Sequence, residues 1–302
     1  MLSRLLALIC VCALLLIAFF GVIKPWYLTW GATPAEVHGA LPSDMIIPNA
    51  KNQETRAITI NANVDRVWPW LAQLGQDRGG FYSFDLLENS VGCEMPTSDV
   101  LQPDKQQWAI GDRLWMYPKA KAGGQGFATL RVYLPAREMG FGTHMLGTPA
   151  RALENGSWSF TLVPLDPSHT RLLIRGRGAP GRSLLGVTFD QAIFEPIHFV
   201  MERRTMIGLK QLAEEGQRYR IVNHVQILAW VLTFCVMCVG FVGALRRRQS
   251  RAFLALFAAA AIVFQILTFV QPSVTISWML AGSTAFVLWR IVMHHRSSSH
   301  YQ

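Results

Sequence analysis

The segment from Arg78 to Asn89 concentrates the side chains that are best suited to chemistry. Two glycines and an aromatic run are followed there by the carboxylates Asp85 and Glu88. On a helix, residues three apart lie on neighbouring turns of one face, so a cavity mouth there could hold both carboxylates for acid–base work or for contact with a ligand. We therefore predict a ligand-binding site in this segment.

The candidate site also draws on apolar side chains from other parts of the chain. Tryptophans and helix-borne methionines either line a cavity or fill a core, and both alternatives stay open. The tryptophans of the region are Trp68, Trp70, Trp108, Trp115 and Trp158. The predicted ligand-binding residues are Tyr82, Asp85, Glu88, Asn89, Trp115 and Met201. No catalytic residue is assigned.

The two carboxylates have a structural alternative. Asp85-Leu-Leu-Glu88 matches a D-x-x-E capping pattern, in which the side chains accept hydrogen bonds from the free amides at a helix start. Capping, ligand contact and catalysis are all compatible with the segment. Capping fits the spacing fully, whereas no partner residue completes a catalytic set.

Signals for cofactors and metals are weak. The run from Gly176 to Gly181 matches G-x-G-x-x-G, but the strand before it belongs to a predicted hairpin and not to the parallel βαβ unit that a dinucleotide site needs. The histidines of the middle region show no ligand spacing to one another or to Cys93, and no G-x-S-x-G elbow is present. We expect no cofactor and no metal, although the tail pair His294 and His295 could bind a metal adventitiously.

Four apolar tracts predict a membrane protein. They cover residues 5–23, 221–245, 252–270 and 273–293. All four are long enough for a helix to cross a bilayer, which needs ~20 apolar residues, and the third only just qualifies. All 19 acidic residues lie between Glu36 and Glu215. The sequence therefore predicts a globular region with membrane spans on both flanks.

The basic residues predict the orientation. Of the 28 lysines and arginines, 21 lie between Lys24 and Arg220, and the remaining seven are arginines beside the tracts or, for Arg290, within the last tract. Cytoplasmic flanks are enriched in such residues, so we expect the inner membrane, a cytoplasmic N-terminus and an extracytoplasmic domain. The partners expected are the lipid bilayer and an apolar small molecule, with any membrane-protein partner unidentified. Nucleic acid is not expected, because the domain shows no basic stripe.

The element pattern predicts an α+β fold. We divide the chain into an anchor (1–24), a linker or irregular strap (25–51), a domain (52–217) and three spans with a short tail (218–302). The domain pattern is a strand, two short helices, a run of antiparallel strands and one long amphipathic helix, on which Glu202 is expected off the apolar face. A curved antiparallel sheet around that C-terminal helix fits this order.

Several motifs together resemble one superfamily. They are the segments 67–75 (VWPWLAQLG), 78–89 (RGGFYSFDLLEN), 111–112 (GD) and 199–210 (FVMERRTMIGLK). They are similar to the START-like or SRPBCC superfamily, also called polyketide cyclase/dehydrase-like, in a membrane-anchored bacterial branch. The resemblance covers roughly residues 55–215. It implies a helix-grip fold with a deep apolar cavity for hydrophobic ligands, and it implies no particular reaction.

Three functions are compatible with these patterns. The first is a membrane-tethered module that binds or carries a lipid, an isoprenoid or a similar molecule. The second is an enzyme of cyclase, dehydratase or hydrolase type acting on an apolar membrane-derived substrate. The third is a partner-docking membrane protein. Polar groups that converge inside the domain would favour the enzyme over the binding module. An interior filled by tryptophans would favour the partner-docking protein.

Overall fold

A computed structural model describes residues 2–96, 99–121, 126–144, 154–178, 190–246 and 250–299. The chain divides into two units. The globular unit is Trp26–Arg218, and the second unit consists of Met1–Pro25 together with Tyr219–Gln302. Each unit is described separately.

The regular elements follow in chain order. The α-helices are α1 (Leu2–Ala18), α2 (Lys24–Leu28), α3 (Pro34–His38), α4 (Val64–Ala72), α5 (Asp85–Ser90), α6 (Glu195–Glu215), α7 (Arg220–Arg246), α8 (Ser250–Gln265) and α9 (Val274–Ser299). The strands are β1 (Asn52–Ile60), β2 (Arg113–Trp115), β3 (Phe127–Leu134), β4 (Glu138–Thr143), β5 (Gly156–Asp166) and β6 (His169–Gly178). Short π-helical turns occupy Phe19–Ile23, Asp190–Phe194 and Ile266–Val270, and 3₁₀ turns occupy Pro42–Ile46 and Pro103–Lys105.

The globular unit contains one six-stranded antiparallel sheet, in the order β1-β6-β5-β4-β3-β2. The first strand, β1, lies next to the last strand, β6, which pairs with both β5 and β1. A register shift between Leu130 and Val132 interrupts β3, and such bulges increase the local twist of a sheet. The predicted α+β class is confirmed: this is a helix-grip arrangement of an antiparallel sheet and a long C-terminal helix.

Helix α6 packs on one face of the sheet. Its Met206, Leu209 and Leu212 share a buried core with Leu172 and Ile174 of β6. Because side chains alternate along a strand, this face takes the even-numbered residues of β6. The helix ends at Gly216, whose φ of 75° is the left-handed conformation that glycine adopts most readily.

The opposite face of the sheet is covered by residues 31–51, which we call the strap. It contains α3, whose start is capped reciprocally by Thr33 and Glu36, and the 3₁₀ turn at Pro42–Ile46. Odd-numbered arginines of β6 bind the strap: Arg171 pairs with Glu36 at 2.7 Å, and Arg175 pairs with Asp44 at 2.8 Å. The strap therefore buries the face of the sheet that would otherwise meet solvent.

The second unit consists of apolar helices. Among the described residues, four helices are long and apolar enough to cross a membrane by length and composition: Leu2–Leu28, Arg220–Arg246, Arg251–Val270 and Val274–His294. In this unit Gly240 and Gly243 of α7 lie against Phe257 and Phe253 of α8, so closely that an added Cβ would collide with them. Small residues at such positions let two helices approach each other in a membrane. These helices indicate membrane association.

Candidate functional site

Aromatic side chains lie next to one another in the buried core that α6 shares with the sheet. Trp158 lies 4.5 Å from Phe160 and 6.0 Å from Phe81, measured between ring centroids. Phe141 continues the series, 6.3 Å from Phe160 and 5.5 Å from Trp108. We call these five residues the aromatic interior. They include two of the tryptophans for which the sequence left core and cavity roles open.

The Arg78-Gly-Gly-Phe-Tyr-Ser motif forms a tight turn against α6. Gly80 has a φ of 84°, and a Cβ at this position would lie 2.7 Å from the carbonyl oxygen of Pro96. A Cβ at Gly79 would lie 2.6 Å from the hydroxyl of Tyr82, and one at Gly208 of α6 would collide with the carbonyl of Tyr82. The glycines are therefore required by close backbone packing.

Tyr82 is fully buried inside this turn. It has a φ of 58°, which is strained for a residue with a side chain, and its hydroxyl donates to the carbonyl of Trp70 at 3.2 Å. Burial raises the pKa of its phenol. Its hydroxyl is thus used to hold the turn on α4. Contact of Tyr82 with a ligand stays a prediction.

The capping prediction for Asp85 is wrong. Helix α5 starts at Asp85 itself, its N-cap is Phe84, and no side chain caps it. The Asp85 carboxylate instead accepts two hydrogen bonds from Arg218, each 3.1 Å long, and Arg218 also donates to Asp99 at 2.7 Å. Burial lowers the pKa of Arg218, but the two carboxylates outweigh burial and raise it overall. Asp85 therefore belongs to a buried ion pair that ties α5 to the end of the domain.

This pair leads to a prediction that differs from the capping hypothesis. A cap tolerates asparagine, whereas Asp85→Asn removes one of the two charges that neutralise buried Arg218. We expect Asp85→Asn to lower the free energy of unfolding by about 2–3 kcal/mol. The matched control is Asn63, a true N-cap that accepts from the amide of Arg66, where Asn63→Asp should change stability by less than about 0.5 kcal/mol. If thermal unfolding showed equally small losses of stability for Asp85→Asn and Asn63→Asp, the ion-pair role of Asp85 would be contradicted.

Glu88 lies beside Asp85 in an environment that disfavours its charged form. Burial raises the pKa of Glu88 to about 7, the negative charge of Asp85 adds to the shift, and Arg218 opposes it. In the described part of the chain its Oε2 is buried without a hydrogen-bond partner. Burial and Glu88 also raise the pKa of the Cys93 thiol. Glu88 is the residue of the predicted set that is best suited to proton transfer near neutral pH.

The raised pKa predicts a pH-dependent stability. Between the ordinary value of 4.5 and about 7, folded Glu88 keeps a proton that the unfolded chain has lost. Stability therefore falls as the pH rises through this range, by about 2–3 kcal/mol for this group. We expect Glu88→Gln to match the wild type near pH 4.5 and to be more stable at pH 8. Thermal unfolding of both proteins at the two pH values checks this, and parallel pH profiles would contradict it.

The other predicted residues have identifiable structural contacts. Asn89 is exposed and clamps Met95, accepting from its amide at 2.6 Å and donating to its carbonyl at 3.3 Å. Trp115 of β2 packs on Phe127 at 5.1 Å. The carbonyl of Met201 accepts from the hydroxyl of Ser83 at 2.9 Å. The structure thus brings Tyr82, Asp85, Glu88, Asn89 and Met201 to one turn and its neighbours, and it places Trp115 on β2.

A second set of polar groups was not predicted from the sequence. It comprises Glu54 and Arg56 of β1, Trp158 of β5, and His198 and Glu202 of α6, and we call it the polar cluster. Glu202, expected off the apolar face, is only 2% exposed. The signal was present as same-face spacing, i and i+2 on the strand and i and i+4 on the helix. Such local spacing does not reveal that the two halves meet, because Arg56 and Glu202 are 146 residues apart in sequence.

Arg56 links the halves of the polar cluster. It is fully buried and donates to Glu202 at 2.6 Å and to Glu54 at 2.7 Å. Burial alone would raise the pKa of Glu202, but Arg56 and then His198 oppose this, and the pKa lies below its usual value. The indole nitrogen of Trp158 donates to the other oxygen of Glu202 at 2.8 Å. The cluster therefore holds ionised groups beside the aromatic interior.

Glycine at position 176 makes room for this cluster. A Cβ there would lie 2.6 Å from Oε1 of Glu54, so the carboxylate passes directly over the glycine. Gly176 opens the G-x-G-x-x-G match, whose residues 179–181 lie outside the described residues. The space that the Glu54 carboxylate needs over β6 therefore accounts for the first glycine of the motif. Nucleotide binding is not required to explain it.

Fold and site together define a helix-grip α+β domain in a chain with four apolar helices. No protein-family model and no curated protein matches the chain. Similar solved structures include the Aha1 dimer from Colwellia psychrerythraea, 11% identical, covering 55% of this chain and 99% of its own, with a TM-score of 0.34. The Zhui aromatase/cyclase from Streptomyces sp. R1128 is 16% identical, with coverages of 56% and 96% and a TM-score of 0.32.

A polyketide cyclase-like protein from Corynebacterium glutamicum is a further similar structure. It is 15% identical, with coverages of 57% of this chain and 93% of its own, and a TM-score of 0.26. At such identities and TM-scores the similarity assigns no role to any residue.

Proposed function

We propose that the protein is a membrane-held module whose domain binds an apolar molecule with a polar end, such as a lipid or an isoprenoid. One observation supports this most directly. The ring of Trp158 belongs to the aromatic interior, whereas its indole nitrogen donates to buried Glu202. One side chain, Trp158, thus contacts both the apolar interior and an ionised carboxylate.

The polar cluster is costly if it serves packing alone. Removing charges from water is expensive, and apolar residues of similar volume often stabilise a fold at least as well as a buried ion pair. The side chain of His198 keeps 26% of its surface exposed, so the cluster is reachable from outside. We infer that the head of the ligand meets Glu54 and His198, and that its apolar part displaces or joins the aromatic interior.

The ligand can be tested by photo-crosslinking in the full-length protein. Phe194 is 45% exposed and stacks on His198 with centroids 5.7 Å apart, so benzoylphenylalanine replaces it conservatively. Ile110 is 61% exposed near β2 and serves as the matched control position. We expect mass spectrometry to find one apolar species attached at position 194. A mixture that mirrors the bulk lipids at both positions would contradict the proposal.

We also propose that the membrane is the inner membrane and that the domain is extracytoplasmic. This rests on the arginines around residues 246–251 and on the parity of four spans. Cysteine substitutions test it: Ile110→Cys in the domain should react with a membrane-impermeant maleimide, and exposed Arg251→Cys should react only after the inner membrane is lysed. The reverse order of labelling would overturn the orientation.

An enzyme acting on the same kind of molecule is the second candidate. The observation in its favour is Glu88, whose pKa of about 7 suits a general acid or base at neutral pH. If this function holds, Glu88→Gln should abolish turnover of the crosslinked species while it leaves the fold at least as stable. Binding without any change of the bound molecule would favour the carrier.

A further inference from the structure

Three side chains that commonly bind metals converge in the polar cluster. Among the described residues, Glu54, His198 and Glu202 each offer one ligand atom, and these three atoms lie within 4.8 Å of one another. The atoms nearest to Nδ1 of His198 are Oε1 of Glu54 and Oε2 of Glu202. The histidine nitrogen is 3.8 Å from the first oxygen and 3.9 Å from the second. Ligands ~2.1 Å from an ion stand roughly 3–3.5 Å apart, so the two histidine distances would shorten by about half an ångström on metal binding. The distance between the two carboxylates, bounded by 4.8 Å, would shorten by up to about 1.5 Å.

The charges leave this position negative. Two carboxylates face one guanidinium. Arg56 donates to one oxygen of each carboxylate, Oε2 of Glu54 and Oε1 of Glu202. The other oxygen of each carboxylate lies toward His198. Arg56 acts as an outer partner that orients both carboxylates. The indole of Trp158 also donates to Oε2 of Glu202, and a carboxylate oxygen can accept this bond and still bind an ion.

Two further features indicate a formed site. Gly176 lets the Glu54 carboxylate lie over β6, because any side chain there would push Oε1 away from its position. Access is one-sided: the side chain of Glu202 is 1% exposed and that of His198 is 26% exposed. A metal bound here would have three protein ligands and an open side for water or for another molecule, as in catalytic metal sites.

We propose that Glu54, His198 and Glu202 bind one divalent transition-metal ion. One imidazole and two carboxylates suit ions such as zinc or manganese. The inference does not depend on the apolar ligand. Its competitor is a site without metal, in which the polar cluster only pairs charges within the fold.

Zinc titration of the full-length protein tests the proposal. After treatment with a chelator and its removal, titration calorimetry in detergent should show one Zn²⁺ per chain. We expect Glu54→Gln and His198→Gln each to weaken binding at least tenfold. The control His294→Ala/His295→Ala removes the tail pair and should leave this binding unchanged. Gly176→Ala, which keeps all three ligands but crowds Glu54, should weaken binding as well.

Two results would overturn the metal site. The first is no stoichiometric binding by the wild type. The second is binding that disappears in the tail variant but persists in His198→Gln. Near-ultraviolet circular dichroism checks the fold of each variant. If Glu54→Gln disturbs the fold, the test rests on His198→Gln, because His198 is the more exposed of the two side chains.

Discussion

We expect Glu202→Gln to lower the free energy of unfolding by about 3–5 kcal/mol, measured in the presence of a chelator. Glutamine keeps the size of the side chain and an acceptor for Trp158, but it removes the charge that faces Arg56 at 2.6 Å. Arg56 is fully buried and would then be paired with Glu54 alone. The loss of about 3–5 kcal/mol corresponds to roughly 10 °C in the melting temperature.

The double substitution Arg56→Met/Glu202→Leu is the control for this prediction. It removes both members of the buried pair, and apolar replacement of such a pair is often neutral or stabilising. The Glu54 carboxylate that remains is 16% exposed and lies 3.8 Å from His198. We expect it to recover most of the stability that Glu202→Gln loses. A Glu202→Gln protein within about 1 kcal/mol of the wild type would show that the pair contributes little.

The pKa of Glu202 gives this prediction a pH dependence. The folded value lies below the ordinary 4.5, so the carboxylate stabilises the fold fully above pH 4.5. This contribution is lost as the pH falls through the folded value. The difference between the wild type and Glu202→Gln should therefore shrink in acid and stay constant above about pH 5.

Arg175→Met should have the second large effect, a loss of about 3–5 kcal/mol with release of the strap. The side chain is 1% exposed. Its nitrogens donate to the hydroxyl of Thr55 at 3.0 Å, to the carboxylate of Asp44 at 2.8 Å and to the carbonyls of Gly39, Glu36 and Val37. Methionine keeps the apolar stem but removes all of these donors. Asp44 keeps the amide of Leu41 and the guanidinium of Arg177, and the carbonyl of Val37 keeps the side chain of Gln53.

Hydrogen exchange of residues 31–51 and thermal unfolding measure the two parts of this prediction. Arg131 is the matched control, because it binds Glu154 through a salt bridge at 2.9 Å but is 46% exposed. Exposed pairs contribute about 0–1 kcal/mol, so Arg131→Met should change little. Unchanged exchange in the strap of Arg175→Met would show that other contacts suffice to hold it.

The elements could be predicted from the sequence because their signals are local. Strand alternation and the turn-rich stretch before His169 predicted the hairpin of β5 and β6, and the change of period predicted α6. The sequence predicts a kink or a new helix at Pro196, and Pro196 stands in the first turn of α6, directly after the π-helical turn Asp190–Phe194. The first turn is the part of an α-helix that tolerates proline best. The apolar tracts predicted the four long apolar helices by length and composition alone.

Only the tertiary structure decided the roles of the charged residues. Asp85 fits a local cap by spacing, yet its partner Arg218 is 133 residues away. Glu202 lies off a single apolar stripe, yet the sheet places Arg56 and Trp158 against it. Periodicity reports which face of an element is apolar, whereas the burial of a charge depends on partners that folding brings from distant strands and helices. For this reason the sequence predicted the architecture and one candidate segment, and folding alone assembled the polar cluster.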